Sequence, residues 1–390
     1  MNLLQADGGL KAMIYNSMPG GSGRILIVTP RYFPFIGGVE NHVYQVSSRL
    51  ARLGIDTTIL TTDTTGQLPI TENVEGVKIR RVRSWPARAD YYFAPDIYRM
   101  ISQERWDIVH VQSYHTLVAP LAMFAAWQAK VPYIVTFHGG GHSSRLRHSL
   151  RGVQQWLLRP LLRRAARLVA IAQFEIPLFS KRLGVPQNKI TLIPNGADLP
   201  DIPTIERDIV DENLIVSIGR LERYKGHQRV IAAMPEILAR RPDLRLWIAG
   251  AGPYESALRD LARRLGVQHR VDIHAIPATE RKQMARELSK AALVILLSEY
   301  ETHPIAALEA SALGRPVLVA DTSGLSELAQ RGLAQAIPLK SKPAQIAEAV
   351  IKNLNRPTNM MNLQIPTWDD CCAGLLALYR DITGRTFCVS

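Results

Sequence analysis

A repeated rhythm constrains this chain more than any other feature. Short apolar runs rich in β-branched residues alternate with segments of helical spacing, and the alternation starts twice. The first set is "RILIVTP" (24–30), "DTTILTT" (56–62), "DIVHVQS" (107–113), "PYIVTF" (132–137) and "RLVAIA" (167–172). The second is "NLIVSIG" (213–219), "LRLWIAG" (244–250), "VDIHAI" (271–276), "ALVILLS" (292–298) and "PVLVAD" (316–321). Continuous apolar runs of this length suit parallel strands buried on both faces. Between the first two runs, Val43, Val46, Leu50 and Leu53 recur at helical spacing, which predicts a helix from Val39 to Leu53 ended by Gly54. Strand–helix–strand alternation predicts an α/β architecture of two doubly wound domains.

The 390 residues are too many for one ordinary core and comfortable for two. The rhythm pauses at "ADLPDIPTIERDIVDEN" (197–213), which reads as the interdomain linker. The expected organisation is a loose leader over 1–23, Rossmann-like domains over 24–203 and 204–365, and a closing segment over 366–390. The last helix, Trp368 to Asp381, follows a proline-containing break at 355–366.

No apolar run approaches the roughly 18 residues of a membrane span. The three cysteines, Cys371, Cys372 and Cys388, have no metal spacing and suggest no disulfide framework, so a reducing cytoplasm is the expected compartment. The formal charge of +13 is uneven: residues 1–195 hold 23 Lys and Arg against 11 Asp and Glu, and the rest 24 against 23. No acidic residue lies between Ile108 and Phe174. An anionic partner for this half follows. Within it, residues 145–168 place Leu146, Leu150, Val153, Leu157 and Leu161 at helical spacing among arginines. That pattern suits a helix lying on an anionic membrane surface, or one packed on its sheet with a solvated basic face.

Ligands of open α/β sheets bind beyond the carboxyl ends of the strands. After the first run stand Gly37 and Gly38, where a helix begins; they suit either a tight turn or close approach of backbone to an anion. After "PYIVTF" comes "HGGGH", whose His138 is either a ligand contact or a packed core residue. "GRLERYKGH" opens the second half with Arg220 and Lys225 near Gly219, a pair suited to a diphosphate. "AGAGPYE" adds Gly250 and Gly252 at the next strand end. "ETHPIAALEA" places Glu301 in a loop, with His303 as N-cap and Pro304 at the first helical position. Glu309 then lies inside a largely apolar helix, so it needs a partner: a sugar diol or an arginine such as Arg315.

In this order the pieces resemble the retaining glycosyltransferases of family 4, which have the GT-B fold: two facing Rossmann-like domains with a cleft between them. The likeness spans about residues 24–381. It rests on the E-x7-E pair Glu301 and Glu309 together with "GRLERYKG", and is supported by "GGVENHVYQVSSRLARLG", "TFHGG", "IPNGAD", "IAGAGP" and "ALGRPVLVADTSGLSEL". The resemblance implies that Arg220 and Lys225 hold the donor diphosphate and that Glu309 binds the ribose. It implies that Glu301 contacts the donor sugar, with the amides around His303 and Ile305. His138 would sit near that sugar, Gly37, Gly38, Gly219, Gly250 and Gly252 would bring backbone to the donor, and the final helix would cross back to the N-terminal domain. "ETHP" stands where many members have "EGFG", and "SGLSE" replaces a "GG-x-PE" pattern, so donor specificity is expected to be decided at residues 302–304.

The expected reaction moves a sugar from a UDP- or GDP-sugar to a hydroxyl, with retained configuration. The acceptor expected is a lipid-linked or cell-surface glycan intermediate. No D-x-D motif occurs, so no metal and no other cofactor is expected. Another GT-B enzyme, such as a nucleotide-sugar epimerase or a phosphorylase, is the alternative. Nucleic-acid binding has only the basic charge in its favour, with no aromatic-interleaved basic strand.

Overall fold

The computed structural model describes residues 23–35, 37–86, 92–139, 145–197, 210–277, 280–355, 366–385 and 387; of 145–153 it describes the backbone alone. Residues 1–22 of the expected leader, and most of the expected linker, lie outside these. Contacts divide the chain into two units.

The first unit is built from β1 (Arg24–Val28), α1 (Gly38–Arg52), β2 (Asp56–Asp63), β3 (Thr71–Val74), β4 (Val77–Arg83), α2 (Asp96–Gln103), β5 (Ile108–Gln112), α3 (Val118–Gln128), β6 (Tyr133–Thr136), α4 (Arg145–Arg164), β7 (Arg167–Ala170), α5 (Glu175–Leu183) and β8 (Ile190–Leu192). Its sheet runs β3-β4-β2-β1-β5-β6-β7-β8 and is parallel except for β3. All five expected strands are present. The apolar rhythm missed β3, β4 and β8 for a physical reason. β4, "VKIRRVR", alternates buried Val77 and Ile79 with basic residues, and β3 is a polar edge strand. Glu75 and Gly76 join them, both at positive φ as a two-residue hairpin requires.

The second unit runs β9 (Asp211–Ile218), α6 (His227–Leu238), β10 (Arg245–Ala249), α7 (Glu255–Arg264), β11 (Val271–His274), α8 (Arg281–Ser289), β12 (Ala291–Leu296), α9 (Ile305–Ala312), β13 (Val317–Asp321), α10 (Ser323–Gln330), β14 (Gln335–Pro338) and α11 (Pro343–Leu354). Its six parallel strands are ordered β11-β10-β9-β12-β13-β14. This is the Rossmann order 3-2-1-4-5-6, whose switch point falls between β9 and β12. The matching switch point of the first sheet falls between β1 and β5. The two halves are Rossmann-like α/β units of the GT-B type.

The closing helix α12 (Trp368–Thr383) belongs to the first unit. Thr367 and Asp370 form a capping box at its start. Trp368, Cys371, Cys372, Leu375 and Tyr379 are buried. Asp369 accepts from Nε of Arg49 on α1 at 2.6 Å. A side chain on Gly196 would collide with the backbone at Trp368, so glycine is what lets the chain cross there.

Candidate functional site

The ends of β9 and β12 carry the residues that the sequence pattern singled out. The loop after β9 closes at Gly226, which has φ 79 and caps α6. A Cβ there would collide with the carbonyl of Leu297 just beyond β12. Glycine therefore presses this loop against the neighbouring strand end and brings Lys225 to Glu301. Lys225 Nζ donates to Glu301 Oε1 at 2.6 Å, with the two side chains 16% and 15% exposed. Ser298 Oγ donates to the same oxygen at 2.9 Å. Two charges this sheltered need each other, because a lone one would be costly to desolvate. Arg220 stands apart from this pair: its side chain is 73% exposed and it binds Glu222 at 2.6 Å.

His227 closes the "YKGH" stretch, where its residue type alone signals no role. It is buried, with Nδ1 2.8 Å from Ser217 Oγ and Nε2 3.3 Å from the Arg220 carbonyl oxygen. Burial pushes its pKa down to about 4. It supports the loop from beneath as a neutral ring.

The loop before α9 departs from expectation in one respect. Pro304 is the N-cap and not the first helical residue: its carbonyl accepts from Ala307 N at 3.0 Å and from Leu308 N at 3.2 Å. At φ −79 and ψ 79 it centres an inverse γ-turn, in which Ile305 N donates to the His303 carbonyl at 2.9 Å. The Ile305 amide is thus already committed. The same loop is fixed to α10. Glu301 N donates to Ser323 Oγ at 2.9 Å, and Gly324 N donates to the Glu301 carbonyl at 2.9 Å. Ser323 has φ 47, a left-handed conformation uncommon for a non-glycine residue.

Glu309 lies on α9 among buried Ala307, Leu308 and Ala310. Its carboxylate is 14% exposed and accepts from Arg281 of α8 at 3.1 Å. Arg281, not Arg315, is its ionic partner. Burial pushes the Glu309 pKa up, and the neighbouring guanidinium pulls it back. Gly250 and Gly252 have a packing reason as well. Side chains there would collide with the carbonyls of Gly219 and Leu221, so the loops at neighbouring strand ends touch backbone to backbone.

In the first unit Gly37 caps α1 in extended backbone, and Gly38 has open space where a side chain would stand. The Glu40 carboxylate folds back against Gly37 and pairs with Arg31 at 3.2 Å. The positive end of α1 already faces a carboxylate of its own chain. His138 follows β6 and is 8% exposed, with Nε2 2.7 Å from Gln112 Oε1. Burial, with His42, His110 and His115 nearby, holds its pKa well below the ordinary value, so the ring is neutral.

The basic helix α4 turns Gln155, Leu158 and Leu162 inward. Trp156 and Leu157 point out, each 62% exposed, and Phe124 and Trp127 are exposed on α3. The Arg164 guanidinium lies 5.0 Å from the centre of the Trp127 ring. Of the apolar stripe expected to face a membrane, Leu157 is outward and Leu161 half-buried; the side chains of Leu146, Leu150 and Val153 lie outside the described residues. No helix among the described residues is long and apolar enough to cross a membrane. Among the same residues no group of three His, Cys, Asp or Glu side chains is placed to hold a metal ion.

Known proteins share this architecture. Residues 36–200 match the model described as Glycosyltransferase Family 4, and residues 201–365 that described as Glycosyl transferases group 1. A D-inositol 3-phosphate glycosyltransferase of Nocardiopsis dassonvillei is 27% identical, over 89% of this chain and 90% of that protein. A glycogen synthase of Mycobacterium tuberculosis is 29% identical, over 86% of each. Among solved structures, a sucrose-phosphate synthase of Thermosynechococcus elongatus superposes with a TM-score of 0.75 at 18% identity, covering 93% of this chain and 99% of that one. Anabaena HepE in complex with UDP superposes with a TM-score of 0.67 at 17% identity, covering 94% and 96%. With both halves matched in order, this chain belongs to the GT-B glycosyltransferases of family 4, group 1, and is a sugar-transferring enzyme.

Proposed function

We propose that the protein is a retaining glycosyltransferase that moves a sugar from a UDP- or GDP-sugar to a hydroxyl of a lipid-linked glycan intermediate. The observation that carries this reading is the Lys225–Glu301 pair at the switch point between β9 and β12, where a doubly wound sheet binds its ligand. The bond from the sugar C1 to the diphosphate oxygen breaks. A bond from C1 to the acceptor oxygen forms on the same face, and the acceptor proton passes to the leaving phosphate oxygen. Charge grows on the diphosphate, and Lys225, already fixed by Glu301 and desolvated, stabilises it without reorganising. Arg220 is exposed and turns from Glu222 to the phosphates. Glu309 accepts from the ribose hydroxyls, Glu301 meets the donor sugar, and His138 meets a substrate oxygen at the strand ends of the first unit. The cations do the work a metal does elsewhere, so no metal is required.

UDP and UDP-glucose are bound by the structural relative HepE, which favours a uridine donor. The acceptor half of the proposal draws on the aromatic and basic face of α3 and α4. Trp127, Trp156 and Leu157, with the arginines around them, suit the headgroup level of an anionic membrane at its cytoplasmic side. Nucleotide release measured against a panel of UDP- and GDP-sugars, with lipid and soluble acceptors and a chelator present, tests the whole reading. Turnover with one donor and a lipid acceptor is expected. A strict requirement for added metal, or release of sugar phosphate in place of nucleotide, would overturn it.

A further inference from the structure

A carboxyl group must be ionised to receive a sugar diol at both oxygens. The carboxylate only accepts, whereas the neutral acid gives one oxygen to a proton and donates there. Glu309 lies among buried Ala307, Leu308 and Ala310, and burial raises its pKa, toward the neutral form.

Arg281 opposes this. From the first turn of α8 its Nη2 donates to Glu309 Oε1 at 3.1 Å, and it is the charge that lowers the Glu309 pKa. The other groups on the elements packed against α9 do not act on Glu309. β12 carries no titratable side chain. Asp321 ends β13 exposed and accepts from Ser326 Oγ at 2.7 Å. On α8, Glu287 pairs with Lys290 at 2.8 Å, and neither Lys282 nor Arg286 shifts Glu309. Arg315, in the turn to β13, donates Nε to the Leu313 carbonyl at 3.3 Å.

Two details set the pair apart from an ordinary ion pair between helices. Arg281 holds one oxygen through one nitrogen, and Oε2 has no hydrogen-bond partner among the described residues. The carboxylate therefore keeps acceptor sites for a ligand. The second detail is position. Arg281 and Lys282 open α8, with no acidic residue in that turn. A helix N-terminus favours anions, so α8 itself is not served by an arginine there. Its use lies across the helix contact, at Glu309.

We propose that Arg281 is a positioning residue for the nucleotide: it keeps the Glu309 carboxyl group ionised and holds it by Oε1, leaving Oε2 to receive a ribose hydroxyl. The proposal rests on the reading that Glu309 binds the ribose. It goes further by naming a residue outside the E-x7-E pair on which that binding depends, and by giving the binding a pH dependence.

The test is calorimetric titration of the full-length protein with UDP-glucose and with GDP-mannose between about pH 5 and pH 8, a window that spans a raised carboxyl pKa and in which neither diphosphate changes charge. The wild type binds one of them evenly at the upper end and loses affinity as pH falls through the Glu309 pKa. In Arg281→Met that loss sets in about one pH unit higher, and below it binding is roughly tenfold weaker than in the wild type. At the upper end the two proteins differ little, and Arg281→Lys, which keeps the charge, follows the wild type. In Glu309→Gln, which has no carboxyl to titrate, adding Arg281→Met changes nothing. Arg281→Gln repeats the test should Arg281→Met not fold. Tighter binding in Arg281→Met makes Arg281 a competitor of the ribose, and equal weakening at every pH, or none, makes it a packing residue; each of these overturns the proposal. Wild-type affinity in Glu309→Gln, or no binding of either nucleotide sugar, instead overturns the reading that Glu309 meets the ribose.

Discussion

Lys225 Nζ and Glu301 Oε1 lie 2.6 Å apart although 76 residues separate them in the chain. Gly226 and the end of β12 create the meeting, and Ser298 completes it. The pair has two duties that mutation can separate. Lys225→Ala is expected to lower turnover by about 10²–10³. It is also expected to cost on the order of 3 kcal/mol of stability, because Glu301 is left sheltered without its cation. Adding Glu301→Gln should recover the stability and not the turnover. Urea unfolding and steady-state rates on the single and double variants measure both.

Glu309 is held at a cost. Its folded pKa is raised by burial, so the folded protein keeps a proton that the unfolded chain has released. Its contribution to stability therefore falls as pH climbs from the ordinary carboxyl value through the raised one. Glu309→Gln is expected to leave the ligand-free protein as stable at neutral pH or more so. Arg281 is half-exposed, so the loss of its contact with Glu309 costs it little. The same change is expected to weaken UDP binding roughly tenfold or more, since an amide oxygen replaces the carboxylate that receives the ribose hydroxyls. Calorimetric titration with UDP and a melting curve give the two halves of this prediction.

Four buried histidines make the protein sensitive to acid. His42 and His227 are lowered to about 4, and His110 and His138 lie well below the ordinary value, in each case chiefly through burial. With depressed folded values, the stability they contribute is present above about pH 6.5 and is lost as pH falls toward 4. His42 alone accounts for on the order of 3 kcal/mol over that window. Urea midpoints measured from pH 7.5 down to pH 4.5 should fall steeply, and His42→Asn should flatten the fall. A midpoint indifferent to pH over this range would remove the buried neutral histidines from the account.

The α3–α4 face predicts membrane contact of a particular kind. Vesicles containing anionic lipid are expected to sediment the protein, and phosphatidylcholine vesicles are not. Replacing Trp127 and Trp156 by alanine should weaken the association, and salt should screen it. Binding that ignores lipid charge would count against this surface.

Much of the fold was legible because parallel strands buried on both faces must be continuously apolar. All ten expected strands exist, β1 and β12 among them, with ends shifted by only a residue or two. The strands that escaped, β3, β4, β8 and β14, lie at or near sheet edges, where polar residues replace that signal. In the site, residue types were readable and partners were not. Lys225 and Glu301 each stood out alone, but their contact depends on Gly226 fitting beneath Leu297 O, a tertiary fact. Arg281 escaped as the partner of Glu309 because it lies 28 residues upstream on another helix. The commitment of the Ile305 amide follows from the ψ of Pro304, which no residue pattern specifies.

The most direct test of sugar transfer at the Lys225–Glu301 site is the stereochemistry of the first product. NMR of the new glycosidic bond, formed from an α-linked nucleotide sugar, reports the anomeric configuration from its C1 proton coupling. Transfer on the face vacated by the diphosphate predicts an α-linked product, with the signal lost in Lys225→Ala. A β-linked product, or an α-linked product formed at the wild-type rate by Lys225→Ala, would contradict the account.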